Sequence, residues 1–144
     1  MVTNIIFSSK IISLNCLGNK KFVSLNQDRQ LCANKFKIDS QAESFEILYL
    51  SGGLIALLSK EKNKIVTAEN EAKETLVANR PVVFGTWEVF ELYDYPNGCV
   101  AFKSLANEKF VSARNKRSVA NLVANRKEVE GGYELFKIQN YLSI

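Results

Sequence analysis

The sequence contains no histidine. That excludes histidine general bases, Ser–His–Asp triads, histidine-ligated zinc and imidazole pH switches. Proline is scarce, with two residues, and glycine modest, with seven, so the chain is neither collagen-like nor a flexible linker. No apolar run approaches the ~18 residues of a membrane-spanning helix. The three cysteines, Cys16, Cys32 and Cys99, are odd in number and form no CxxC pair. Neither a disulfide framework nor a zinc ribbon is expected from them. Free thiols suit a reducing compartment. The segment Met1–Leu17 has no charged leader and no small-residue cleavage site. The expectation is a cytoplasmic protein without a transmembrane segment. Walker-type phosphate loops and GxGxxG are also missing.

What is present fits one globular domain spanning 1–144. Hydrophobic residues make up 47% and charged residues 24% of 144. Nineteen Lys and Arg against fifteen Asp and Glu give a net charge of +4. That mild excess favours acidic partners but falls short of a nucleic-acid footprint.

The chain repeats itself three times, over about 8–50, 51–95 and 96–140. Ile12, Ile55 and Val100 anchor the copies. Ten residues later stand Phe22, Ile65 and Phe110. After a loop of variable length come Leu31-Cys32-Ala33-Asn34-Lys35, Leu76-Val77-Ala78-Asn79-Arg80 and Leu122-Val123-Ala124-Asn125-Arg126. Eleven residues beyond each Asn is a Phe (Phe45, Phe90, Phe136), with Glu43, Glu88 and Glu134 two residues before it.

Each copy reads as four short strands. Period-two alternation puts Ile12/Leu14, Ile55/Leu57 and Val100/Phe102 on one face of the first strand. Val23/Leu25, Val66/Ala68 and Val111/Ala113 do the same in the second. Leu31/Ala33, Leu76/Ala78 and Leu122/Ala124 follow in the third, and Phe45/Ile47, Phe90/Leu92 and Phe136/Ile138 in the fourth. Three copies of four strands point to an all-β, pseudo-threefold closed barrel with a hairpin cap, the β-trefoil. Propellers usually carry 4–8 blades, which counts against a three-bladed one.

The segments Phe110-Val111-Ser112-Ala113, Leu122-Val123-Ala124-Asn125-Arg126 and Tyr133-Glu134-Leu135-Phe136 resemble the fascin-like β-trefoil family. Copy two matches through Ile65-Val66-Thr67-Ala68, Leu76-Val77-Ala78-Asn79-Arg80 and Trp87-Glu88-Val89-Phe90. Copy one diverges, with Lys35 in place of Arg and Ala42 in place of Trp87 or Tyr133. The resemblance implies a trefoil that binds rather than catalyses. Fascins bundle actin, histidine-rich single trefoils bind actin and membranes, and similar modules are appended to bacterial sugar-active enzymes. A histidine-free chain departs from the second group. The ricin-type Gln-x-Trp signature is absent too, because Gly85-Thr86 precede Trp87.

Residues that recur in every copy belong to the scaffold, and residues that break the pattern are better site candidates. Asn34, Asn79 and Asn125 are expected to bond nearby backbone and shape turns. Glu43, Glu88 and Glu134 are expected to pair with Lys35, Arg80 or Arg126, or to accept from loop amides. Trp87 and Tyr133 are expected to cover the core, with a sugar-stacking platform as the alternative. Each cysteine replaces a small or apolar residue of the other copies, and without histidine no catalytic thiolate is expected. Asp28 and Asp94 lie in different copies and offer no matched acid and nucleophile. No enzyme activity, cofactor or metal is expected.

Two sets of pattern-breaking residues remain. Tyr93, Asp94, Tyr95 and Asn97, read as one inter-copy turn, could hold a sugar by stacking and hydrogen bonding, together with Trp87. The basic loops carry Lys60, Lys62, Lys64, Arg114, Lys116 and Arg117, suited to an acidic protein such as actin or to anionic lipid. These loops lack interleaved aromatics, so nucleic acid is not expected. The leading expectation is a carbohydrate-binding module, and the alternative is an actin-associated cytoskeletal protein.

Overall fold

A computed structural model describes residues 6–113 and 120–140, which contain twelve strands. They fall four to a copy. Copy one holds β1 (Ser8–Cys16), β2 (Lys21–Leu25), β3 (Leu31–Lys35) and β4 (Phe45–Tyr49). Copy two holds β5 (Leu54–Ser59), β6 (Lys64–Thr67), β7 (Val77–Arg80) and β8 (Phe90–Tyr95). Copy three holds β9 (Cys99–Ser104), β10 (Phe110–Ser112), β11 (Val123–Arg126) and β12 (Phe136–Asn140).

The first and fourth strands of the copies pair antiparallel in a ring: β1 with β4, β4 with β5, β5 with β8, β8 with β9, β9 with β12, and β12 with β1. This closure removes free edges from the six-stranded barrel. The second and third strands form the hairpins β2–β3, β6–β7 and β10–β11. At their meeting point Leu31 N–H donates to Leu76, Leu76 to Leu122, and Leu122 back to Leu31, over 2.9–3.0 Å. That cyclic trio of backbone bonds knits the cap about the pseudo-threefold axis. The architecture is a β-trefoil.

The alternation in the sequence explains the core. Ile12, Leu14, Ile55, Leu57, Val100 and Phe102 are buried, as are Val23, Val66, Val111, Ala33, Ala78 and Ala124. Phe45, Phe90 and Phe136 are 0% exposed. Phe102 meets Phe90 and Phe136 with ring centroids 6.5 and 5.8 Å apart. Burying each such phenylalanine stabilises the fold by about 1.5–3 kcal/mol.

The recurring asparagines differ from expectation. Phe22 pairs with Lys35 and Val23 with Ala33, so Asn34 is the extra residue of a β-bulge. Asn79 and Asn125 occupy the same bulge in β7 and β11. Their side chains are exposed, and Asn79 donates to the Glu69 carboxylate (2.8 Å) rather than to backbone. The bulge adds one residue to the strand and increases its local twist.

The recurring glutamates form a threefold cap. Each is buried and ends a 3₁₀ turn just before the fourth strand: Gln41–Glu43, Thr86–Glu88 and Gly132–Glu134. One carboxylate oxygen accepts two loop amides, from Asp39 and Ser40, Phe84 and Gly85, or Glu130 and Gly131, over 2.7–3.1 Å. The other accepts a hydroxyl from Ser24, Thr67 or Ser112 of the second strand. The loop-amide alternative holds, and pairing with Lys35, Arg80 or Arg126 does not occur. Those cations have other acidic partners.

Candidate functional site

The loop from the third strand to the glutamate cap forms a surface pocket in each copy. Copy one's pocket is lined by Ile11, Ile38, Ser40, Gln41, Ser44 and Lys60, about 240 Å³. Copy three's is lined by Asn125, Arg126, Lys127, Glu128 and Glu130, about 370 Å³. Copy two's is lined by Arg80, Phe84, Gly85, Thr86, Trp87 and Glu88, about 330 Å³. The scaffold is shared, and the lining differs.

One position decides the difference. Four residues before the capping glutamate stand Asp39, Phe84 and Glu130. In copies one and three this acid pairs with the cation at the end of the third strand. Lys35 reaches Asp39 at 3.7 Å and Arg126 reaches Glu130 at 3.6 Å. In copy two the acid is replaced by Phe84, whose ring is 65% exposed. Arg80 then takes its counter-ion from another loop, with Nη2 3.2 Å from Glu69 Oε1.

Glu69 opens a distorted turn, Glu69–Ala72, between β6 and β7. Asn70, Glu71 and Ala72 all have left-handed backbone, at φ 54°, 55° and 65°. For L-residues this conformation costs roughly 1–2 kcal/mol each. The turn is held at both ends. Ala72 is buried in the core and its N–H donates to Ala68 (3.0 Å). The Ala68 N–H donates to the Trp87 carbonyl (2.8 Å). Backbone strain maintained by surrounding packing is a feature of binding sites. The first residue of the turn, Glu69, sets its carboxylate against both Asn79 and Arg80 beside an aromatic pocket.

Trp87 is half-buried, so it both packs and faces the pocket. Tyr133, at the equivalent place, is scaffold. It packs on the core, and its ring lies so close over Gly18 that a Cβ there would come within 2.6 Å of it.

Tyr93, Asp94, Tyr95 and Asn97 do not form one turn. The first three belong to β8, and only Pro96–Gly98 is the turn. Strand alternation therefore sends Tyr93 and Asp94 to opposite faces. The Tyr93 hydroxyl donates to Glu91 (2.8 Å), which raises its pKa, and the ring meets Phe110 edge-on at 5.3 Å. Asp94 and Tyr95 line a different cavity of about 270 Å³ with Lys10, Tyr49, Leu92 and Ile138 among its walls. Burial, and then the Asp94 charge, raise the pKa of Tyr49 there. Asn97 is exposed in the turn at φ 67°. Trp87 lines neither Asp94's cavity nor its rim, so the five expected ligand residues do not converge.

Of the basic set, Lys60, Lys62 and Lys64 lie in the turn between β5 and β6 and at its edge. Lys60 is paired with Glu46 at 3.3 Å. Glu46 sits below its ordinary carboxylate range, through the Ser9 hydroxyl first and Lys60 after it. Lys62 is exposed and Lys64 half-buried. Arg114, Lys116 and Arg117 lie outside the described residues. Cys16, Cys32 and Cys99 are buried free thiols. Burial pushes the Cys32 pKa up to about 11 and raises that of Cys16. Among the described residues no three His, Cys, Asp or Glu side chains cluster as metal ligands. No helix there is long and apolar enough to cross a membrane.

The sequence reading missed Arg80, Phe84 and Glu69 as site residues. The signal for Phe84 was available, since it breaks an acidic position in an otherwise shared loop. Glu69 gave none, because it lies on a different loop, eleven positions before Arg80.

No protein-family model matches the sequence, and no curated protein sequence does. Solved structures match in shape. A designed threefold-symmetric protein, ThreeFoil, superposes with TM-score 0.79 at 12% identity, over 91% of this chain and 99% of its own. An exo-β-1,3-galactanase from Clostridium thermocellum gives 0.77 at 12%, over 98% of this chain and 32% of its own. A Polyporus squamosus lectin, solved with a sialylated epitope, gives 0.75 at 10%, over 94% and 50%. This chain thus spans half the lectin and about a third of the galactanase. At such identities the likeness establishes the β-trefoil architecture. The narrower fascin-like resemblance rests on the sequence motifs alone.

Proposed function

We propose that this protein is a non-catalytic glycan-binding module whose sugar sits in the copy-two pocket. The observation that carries this reading is the exchange of an acid for an exposed Phe84 at a position where the other copies keep an ion pair. A sugar ring presents an apolar C–H face and a rim of hydroxyls. Phe84 and Trp87 offer aromatic surface to the first. Arg80, Asn79 and Glu69 offer donors and acceptors to the second. A volume of about 330 Å³ is at the small end of ligand pockets, which begin at about 300 Å³. The shape likeness to a lectin supports the reading. The cavity at Asp94 and Tyr95 is a second, smaller candidate for the same ligand class.

A glycan array followed by fluorescence titration tests this directly, because Trp87 is the only tryptophan. At least one glycan should bind and perturb Trp87 emission, and Phe84→Ala should weaken it at least about tenfold without unfolding the protein. An array without hits, or hits insensitive to Phe84→Ala, would overturn the proposal.

A further inference from the structure

We propose that Glu69 sets the charge selectivity of the copy-two pocket, so that it takes uncharged sugars and rejects their uronic acids. This rests on the glycan reading of that pocket and deepens it. A pocket holding an arginine would ordinarily attract a carboxylate, since the guanidinium fork matches it. Here the guanidinium already has a counter-ion. Glu69 Oε1 lies 3.2 Å from Arg80 Nη2 and accepts from Asn79 Nδ2 at 2.8 Å. Glu88, in the pocket wall, is 3% exposed and bonded to amides and to the Thr67 hydroxyl, with no cation paired to it among the described residues. The Glu69 and Glu88 carboxylates thus stand against the single Arg80 cation of the lining, and an incoming carboxylate meets negative charge. The geometry of Glu69 also serves a neutral ligand. The Asn79 hydrogen bond and the Arg80 ion pair both fall on Oε1, which leaves Oε2 to accept from a hydroxyl.

The strained turn supports the assignment. Three successive left-handed residues follow Glu69 between β6 and β7, at the pocket's edge. In copies one and three the counter-ion comes from within the same loop, four residues after the cation.

The test uses the whole protein and two sets of beads at neutral pH and low salt. One set displays glucose, galactose, mannose or N-acetylglucosamine. The other displays glucuronic, galacturonic or mannuronic acid. Wild-type protein should be retained on at least one neutral sugar about tenfold more strongly than on the matching acid. Glu69→Gln keeps the shape and the two donor contacts while removing the charge. It should bring the neutral-to-acid ratio to within about threefold by freeing Arg80 for the acid. Equal or stronger retention on the acids, or an unchanged ratio in Glu69→Gln of unaltered melting temperature, would overturn the inference and leave the glycan reading standing. Retention on none of the beads would overturn the glycan reading, and this inference with it.

Discussion

Copies two and three carry the same arginine at the end of the third strand and the same glutamate cap, yet their pockets differ in kind. In copy three Arg126 is closed off by Glu130, four residues along the same loop. In copy two that acid is Phe84, and Arg80 is balanced by Glu69 from a separate, strained turn. The comparison separates two tasks of one sequence pattern. Leu–Val–Ala–Asn–Arg and the capping glutamate build the loop. Between these two copies, the residue four before that glutamate either pairs with the arginine, as Glu130, or presents an exposed ring, as Phe84. Fold symmetry and site asymmetry thus reside in different residues of one segment.

The shared half of the comparison predicts the largest effects. Phe90→Ala should lower stability by about 3–5 kcal/mol in urea unfolding, and Phe45→Ala and Phe136→Ala by similar amounts. A loss confined to one copy would break the equivalence of the three core positions. Next come the caps. Glu134→Ala leaves the amides of Glu130 and Gly131 and the Ser112 hydroxyl without their carboxylate partner. The expected cost is about 3 kcal/mol, since each orphaned buried donor costs about 1–3 kcal/mol. Glu43→Ala and Glu88→Ala should match it closely.

Smaller effects sharpen the differences between copies. Gly18→Ala would drive a methyl into the Tyr133 ring and should cost about 1–3 kcal/mol by overpacking. Cys32→Val, which installs the residue found in copies two and three, should change stability at neutral pH by less than about 1.5 kcal/mol. It should, however, alter the alkaline limb. The folded thiol has a pKa raised to about 11, while the unfolded thiol ionises first, near 8.5. The stability from keeping Cys32 protonated is therefore full below about pH 8.5 and is lost as pH rises toward about 11. Urea midpoints at pH 7, 9 and 10.5 should fall less steeply for Cys32→Val than for wild type.

The fold was legible because it is built from repetition. Phe45, Phe90 and Phe136 share one spacing, and period-two alternation assigned the buried faces of all four strand types. The bulge was not legible. An extra residue at Asn34, Asn79 and Asn125 leaves spacing between copies unchanged, and its position depends on cross-strand register. The site was legible only in part. The sequence offers Trp87 as a stacking platform, but it places Tyr93 and Asp94 in one inter-copy turn with Pro96-Asn97-Gly98. β8 instead continues through Tyr95, paired with Cys99, and alternation separates the two side chains. Glu69 meets Arg80 across the β6–β7 hairpin, beside a left-handed turn of non-glycine residues that sequence propensities disfavour.

The central claim is that copy two alone carries the glycan pocket on a scaffold that all three copies share. Mapping amide chemical shifts during titration with a glycan selected on the array tests it most directly. The account predicts perturbations at Glu69 and across Arg80–Glu88, with the equivalent loops Lys35–Glu43 and Arg126–Glu134 unchanged. Equal perturbation of all three loops, or shifts confined to Asp94 and Tyr95 at the other cavity, would contradict it.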